Sequence, residues 1–256
     1  MLALSTGIHT PSVAVRAPAP AMETVEDLKT LSKKLNPILG YWNPLGLGEG
    51  GFWDQPGGFW GQGQEATIGF LRQAEIKHGR IAMFAFVGHL VGLSGAHFPW
   101  NIDGTTSFGD IAAAGGPGDQ WDAVSLTAKW QIFSFIFLIE AISESNYALG
   151  QAGTTHYIRG GKPGVIPSLK TIAPHPIPVD YFNPIGTVAK MTPERKEQGL
   201  LAELNNGRAA MLGIFGLVSA EKGCFVPGLS SLPLPQYSGE FMEPFSVGET
   251  WTYFTG

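Results

Sequence analysis

Residues 75–83 and 203–211 share one skeleton 128 positions apart: Glu75 and Glu203, Gly79 and Gly207, Arg80 and Arg208, Ala82 and Ala210, Met83 and Met211. Each copy opens a segment that soon becomes almost purely apolar. A repeated acid-and-base pair at the mouth of two hydrophobic helices is costly to bury and calls for a functional reason. On a helix, residues five apart differ by about 140°, so Glu75 and Arg80 face different sides and do not readily pair with each other. The same holds for Glu203 and Arg208. If the two helices cross about a pseudo-twofold axis, Glu75 meets Arg208 and Glu203 meets Arg80, and each charge is compensated across the interface. Gly79, Ala82, Gly207 and Ala210 are small enough to let two backbones approach. The repeat extends upstream: Asn43-Pro44-Leu45-Gly46 precedes the first helix and Asn183-Pro184-Ile185-Gly186 precedes the other. Either turn alone is an ordinary Pro-Gly turn, but two copies ahead of two matching helices support the pseudo-twofold pair.

The charged fraction is 14%, well below the roughly 25% of soluble domains. The 35 Gly and 19 Pro gather between three apolar blocks, near 76–98, 130–142 and 200–226. The outer two supply about 20 residues each, enough to cross ~30 Å of hydrocarbon. The middle block has a dry core of thirteen residues and reaches spanning length when extended back to Trp121, at the cost of Asp122 and Lys129. Charge supports three crossings. The N-terminal segment and the 146–198 connection hold eleven Lys or Arg, whereas residues 99–121 and the tail after Val226 hold none and carry Asp103, Asp110, Asp119, Glu240, Glu243 and Glu249. That asymmetry places the N-terminus on the cytoplasm-like face, and Trp100, Trp121 and Trp251 fall near the boundaries. The expectation is an all-α membrane protein with helices near 66–98, 121–145 and 193–223, in one domain over 23–256. Residues 1–22, with Arg16 and no acid, read as the remnant of an organelle transit peptide. Nothing basic is clustered for nucleic acid, and the single Cys224 excludes a CxxC redox or zinc motif.

His78 and Asn206 each follow their Glu by three residues and so share its face. Carboxylate, imidazole and amide oxygen can all donate an axial lone pair, and a Mg²⁺ held in a planar macrocycle needs only one. Ion locks alone would explain the four charges but not these two neighbours. The two motifs resemble the first- and third-helix signatures of the light-harvesting chlorophyll-protein superfamily. Glu75-Ile76-Lys77-His78-Gly79-Arg80-Ile81-Ala82-Met83, with its Asn-Pro-Leu-Gly turn, looks most like the chlorophyll a/c antennae of algae with secondary plastids. The resemblance covers residues 36 to about 226. It implies chlorophyll ligation by Glu75, His78, Glu203 and Asn206, with Arg80 and Arg208 as crossed ion partners. It also implies carotenoid contacts at Asn43–Gly46 and Asn183–Gly186. On the middle helix, Gln131 and Glu140 fit further ligand positions, or else stand as a solvent-side Gln and a helix-end Glu. His89, eleven residues after His78, returns to nearly the same face and suits either an extra chlorophyll or plain packing. Ala220 stands where many members carry a Gln ligand, and no histidine follows the third helix.

No residue set suggests catalysis, so the chain reads as a non-enzyme. The resemblance implies chlorophyll a, chlorophyll c and carotenoids (peridinin or fucoxanthin, with diadinoxanthin), with magnesium only inside chlorophyll. Energy captured by chlorophyll c and carotenoid would pass to chlorophyll a, then to a photosystem core (I in preference to II) or neighbouring antenna subunits. The setting implied is the plastid thylakoid among its lipids, multi-pass, N-terminus stromal. The alternative within the family is a photoprotective quencher. The aromatic Gly50–Gly63 segment reads as pigment cover, partner dock or plain interfacial loop.

Overall fold

The structure is a computed structural model and describes residues 23–49, 63–167 and 190–240. Among these residues the chain is helical, with one isolated antiparallel bridge between Asn101 and Ser107 and no strand. Helix α1, Val25–Leu35, starts at a reciprocal capping box of Thr24 and Asp27 and ends with Lys33 and Lys34 in its last turn. Both ends thus complement the helix dipole. A 3₁₀ turn, Leu47–Glu49, leads toward α2, Gln64–Leu93. Then come the short α3, Phe108–Ala113, and α4, Pro117–Ala123, followed by α5, Leu126–Glu144. After α6, Asn146–Gln151, and a 3₁₀ turn at Tyr157–Arg159, the chain reaches α7, Pro193–Glu221.

The expected boundaries need two corrections. The first long helix stops at Leu93 rather than near 98, because Gly95 takes a left-handed φ of 71° that ends the α-helical path. The second starts at Leu126 rather than near 121. The Ser125 hydroxyl caps it by accepting from the Ala128 N–H, and Trp121 belongs to the separate α4. Helix α7 begins at the expected Pro193 and ends at Glu221, against an expectation near 223.

The principal packing is α2 on α7. Gly79 faces Gly207, Phe86 lies against Gly213, and His89 reaches Glu221, so the two helices run side by side in the same direction. At the crossing, a Cβ built on Gly79 would stand 3.0 Å from the Gly207 Cα, and one built on Gly207 would stand 2.9 Å from the Gly79 Cα. Only a residue with no side chain permits that approach at either place. Helix α5 stands apart. It packs closely against neither α2 nor α7, and it is the one helix among the described residues long and apolar enough to cross a membrane by length and composition. The block with the shortest dry core is therefore the one whose helix passes that test. Helices α2 and α7 are 30 and 29 residues long but carry more charge. Phe84, Phe135, Phe137, Leu212 and Phe215 are 63–79% exposed, so all three long helices turn large apolar side chains outward.

Candidate functional site

At the α2–α7 crossing the four repeated charges meet in reciprocal pairs. Arg208 approaches Oε1 of Glu75 with Nε at 2.7 Å and Nη2 at 2.6 Å. Arg80 donates from Nε to Oε1 of Glu203 at 2.5 Å and from Nη1 to the Gly164 carbonyl at 2.9 Å. Each carboxylate is half-buried and charge-compensated, yet each still has a lone pair beyond the bonds it accepts. Arg72 adds a partner that sequence reading missed: it pairs with Oε2 of Glu75 one turn away and, through Nε, with Glu23 at 3.1 Å. The i, i+3 spacing of Arg72 and Glu75 was the available signal.

The neighbouring donors face outward. His78 is exposed, and its Nδ1 lies 2.7 Å from the Ala74 carbonyl, so Nδ1 carries the proton and the Nε2 lone pair is directed away from the helix. Asn206 is exposed, and its amide has no protein partner among the described residues. A cleft of about 310 Å³ opens beside Glu203, bordered by Ile76 and Arg80 on α2, Leu200 and Leu204 on α7, and Gly164. The structure thus brings Glu75, Arg80, Glu203 and Arg208 together, with His78 and Asn206 on open faces beside them.

The remaining candidates are more dispersed. Gln131 is exposed on α5 with no partner among the described residues. Glu140 is half-exposed and bonded to Lys77 at 2.5 Å, and the same ammonium holds Glu144 at 2.9 Å. Lys77, another residue sequence reading missed, is therefore the polar tie between α2 and α5. Glu144 also takes Nε2 of His156 at 2.8 Å. Nearby, burial and the hydrogen bond it donates to Glu144 push the Tyr157 phenol above its ordinary value. Of the two readings of His89, the geometry matches packing: its Nε2 contacts Glu221 Oε1 at 2.8 Å and both side chains are buried. Glu221 lies 132 residues from His89, and no local pattern announces the pair. The Asn43–Gly46 turn closes through a Gly46 N–H bond to the Asn43 carbonyl at 3.2 Å, with Gly46 at φ 64° and Leu45 exposed. Asn183–Gly186 and most of the Gly50–Gly63 segment lie outside the described residues.

Comparison with known proteins places this arrangement. The family model described as Chlorophyll A-B binding protein matches residues 27–222, a span that takes in both repeated motifs and α5. The fucoxanthin-chlorophyll a-c binding protein of Trieres chinensis is 31% identical over 194 residues, 73% of this chain and 75% of that protein. Fucoxanthin-chlorophyll a-c binding protein D of Macrocystis pyrifera is 30% identical over 186 residues, 72% of this chain and 81% of that one. Protein F of Phaeodactylum tricornutum is 29% identical over 189 residues, covering 73% and 76%. The chain belongs to the chlorophyll a-b binding protein family.

Proposed function

We propose that this protein is a light-harvesting antenna: it binds chlorophylls and carotenoids in a plastid membrane and passes excitation energy to a photosystem. The observation that carries this reading is the crossed α2–α7 pair, in which two reciprocal ion pairs compensate Glu75 and Glu203 while the Nε2 of His78 and the amide of Asn206 face outward beside them. An imidazole with its Nε2 turned outward, an uncommitted amide oxygen and two charge-compensated carboxylates suit the single axial position of a macrocycle-bound Mg²⁺. The apolar exposed faces of α2, α5 and α7 suit the rings and tails that such pigments carry. Gln131 and Glu140 are proposed as ligands on α5. Glu140 would use the oxygen that Lys77 leaves free, and His89 is omitted because Glu221 engages it. When bound, the pigments supply absorption and excitation transfer. The chain's residues hold them at fixed spacing and exclude water.

The finer reading is that α2, α5 and α7 all cross the bilayer, with α2 and α7 related by a pseudo-twofold axis. The basic N-terminal segment and 146–198 connection would lie on the stromal side of a thylakoid, and the 94–125 segment in the lumen. Two lysines at the lumenal helix ends, Lys129 and Lys222, each lie over an aromatic ring, Trp121 and Tyr237. The pigments proposed are chlorophyll a, chlorophyll c and a carotenoid held partly by the Asn43–Gly46 and Asn183–Gly186 turns. The partners proposed are a photosystem core, I in preference to II, and neighbouring antennae.

The test is a fluorescence-excitation spectrum of the protein purified in mild detergent, with its extracted pigments separated and counted. Chlorophyll a emission driven through chlorophyll c and carotenoid is the expected result. A folded but colourless preparation would overturn the proposal.

A further inference from the structure

We infer that His97 is the axial ligand of an additional chlorophyll-type Mg-tetrapyrrole, seated in an apolar pocket between the end of α2 and α3. This rests on the antenna reading above but concerns a site outside the repeated motifs. The pocket has a volume of about 350 Å³. Its floor is formed by residues with little or no side chain, among them Gly88, Gly92 and Ala112, and Phe108 and Phe98 border it. Phe98 is itself braced, stacked on Trp100 at 4.7 Å and edge-on to Phe108 at 5.5 Å. A Cβ added at Gly88 would meet nothing within 4 Å, so there is open space at Gly88, whereas one added at Gly92 would meet Gln120 and Pro117.

The lining chemistry narrows the ligand. No Lys, Arg, Asp or Glu borders the pocket, so a charged ligand finds no counter-charge. Gln120 donates from Nε2 to the carbonyls of Gly92 and Gly115, and its Oε1 is packed against Gly92, where an added Cβ would meet it at 3.0 Å. His97 is the one imidazole of the lining, exposed beside Gly109 and without a polar partner among the described residues. One nitrogen donor cannot hold a bare metal ion, which needs several ligands, and no cluster of three metal-binding side chains occurs among the described residues. One nitrogen is what a metal already held in a planar macrocycle still requires. An uncharged, flat, apolar ligand with one open coordination position satisfies the floor, the walls and the imidazole together.

The experiment compares wild type with two independent variants purified in mild detergent: His97→Leu, which removes the donor, and Gly88→Leu, which fills the floor but keeps the donor. Chlorophylls per polypeptide are counted after extraction, and visible circular dichroism reports whether the remaining pigments keep their arrangement. The expected result is the loss of one chlorophyll in each variant, with the same absorption band missing from both. Wild-type chlorophyll counts in both variants would overturn the inference and leave the antenna reading intact. So would the loss of a carotenoid alone. A folded wild type without any chlorophyll would fail at the earlier step, the function itself.

Discussion

Arg80 and Glu203 make half of the reciprocal lock, and Arg80 also holds the Gly164 carbonyl. Replacing Arg80 by Leu leaves a half-buried carboxylate without its counter-charge, a loss that reaches about 3–5 kcal/mol for fully buried pairs. The expected outcome is a lower thermal midpoint and loss of the pigment proposed at Glu203, with partial recovery of the midpoint in the exchanged double variant Arg80→Glu, Glu203→Arg. A thermodynamic cycle over the four proteins measures the coupling, and a coupling near zero would remove the lock from the account. The four locking residues were legible in the sequence because two copies of one motif had to satisfy each other. Lys77 was not, because its partners Glu140 and Glu144 lie on a helix with no repeat counterpart. Asp103 illustrates a different residue-scale effect. The hydroxyl of Ser125 at 2.5 Å, the Thr106 N–H at 2.6 Å and both the N–H and hydroxyl of Thr105 hold its carboxyl well below the usual carboxylate range. A depressed folded value means that stabilisation is complete above the ordinary 3.8 and is lost as pH falls toward the folded value. Asp103→Ala should therefore lower the far-ultraviolet melting midpoint equally at pH 7 and pH 5. The gap should narrow only below about pH 3.8. Narrowing already between pH 7 and 5 would mean that another group is responsible.

At the scale of elements, the α2–α7 crossing depends on Gly79 and Gly207 having no side chains. Gly79→Ala places a methyl 3.0 Å from the Gly207 Cα, and the obstacle is backbone, which cannot swing aside. Both helices must separate, lengthening the ion pairs on either side of the contact. A drop in thermal midpoint together with weakened chlorophyll retention is expected, and an unchanged midpoint would show that the crossing tolerates separation. The far end of the pair is tied differently. The segment around Tyr237 crosses from α7 to α4: its N–H bonds the Glu221 carbonyl at 2.9 Å, and its hydroxyl reaches both oxygens of Asp122 at 3.0 and 3.1 Å. Its ring is buried against Gly118. Tyr237→Phe keeps the packing and removes a bond to a carboxylate, a cost of roughly 1.5–3 kcal/mol. Denaturant titration of the two proteins measures it, and equal midpoints would assign the segment's hold to packing alone. None of this strap was legible in the sequence, since its Tyr237–Asp122 bond joins residues 115 apart and no periodic pattern announces the strap. The helices themselves were legible from their apolar blocks. Their ends were less so, because Gly95 and Ser125 act through local backbone geometry that hydropathy does not register.

For the whole molecule, the placement of α5 has the widest consequence. Helix α5 carries exposed Phe135, Ile136, Phe137 and Leu138, yet it packs closely against neither α2 nor α7. Among the described residues, polar bonds tie the α4–α5 region to the crossed pair near the two ends of α5. Lys77 bonds Glu140 and Glu144 at one end, and near the other, α4 touches α2 through Gln120 and the Gly92 carbonyl. Between those ties there is little direct helix-to-helix packing among the described residues, so the proposed pigments would supply the cohesion that side chains supply elsewhere. The crossed pair has its own ion locks and glycine contact and does not depend on pigment in the same way. Removing pigment should then destabilise the two parts unequally. Hydrogen exchange on the protein refolded in detergent with and without pigment is the measurement. Amides of α5 between Trp130 and Leu138 should lose most of their protection in the pigment-free protein, while those around Gly79 and Gly207 retain a larger share. Lys77→Ala should deepen the loss in α5 further and leave the crossing unaffected. Uniform loss across all three helices, or none, would contradict an α5 held chiefly through pigment.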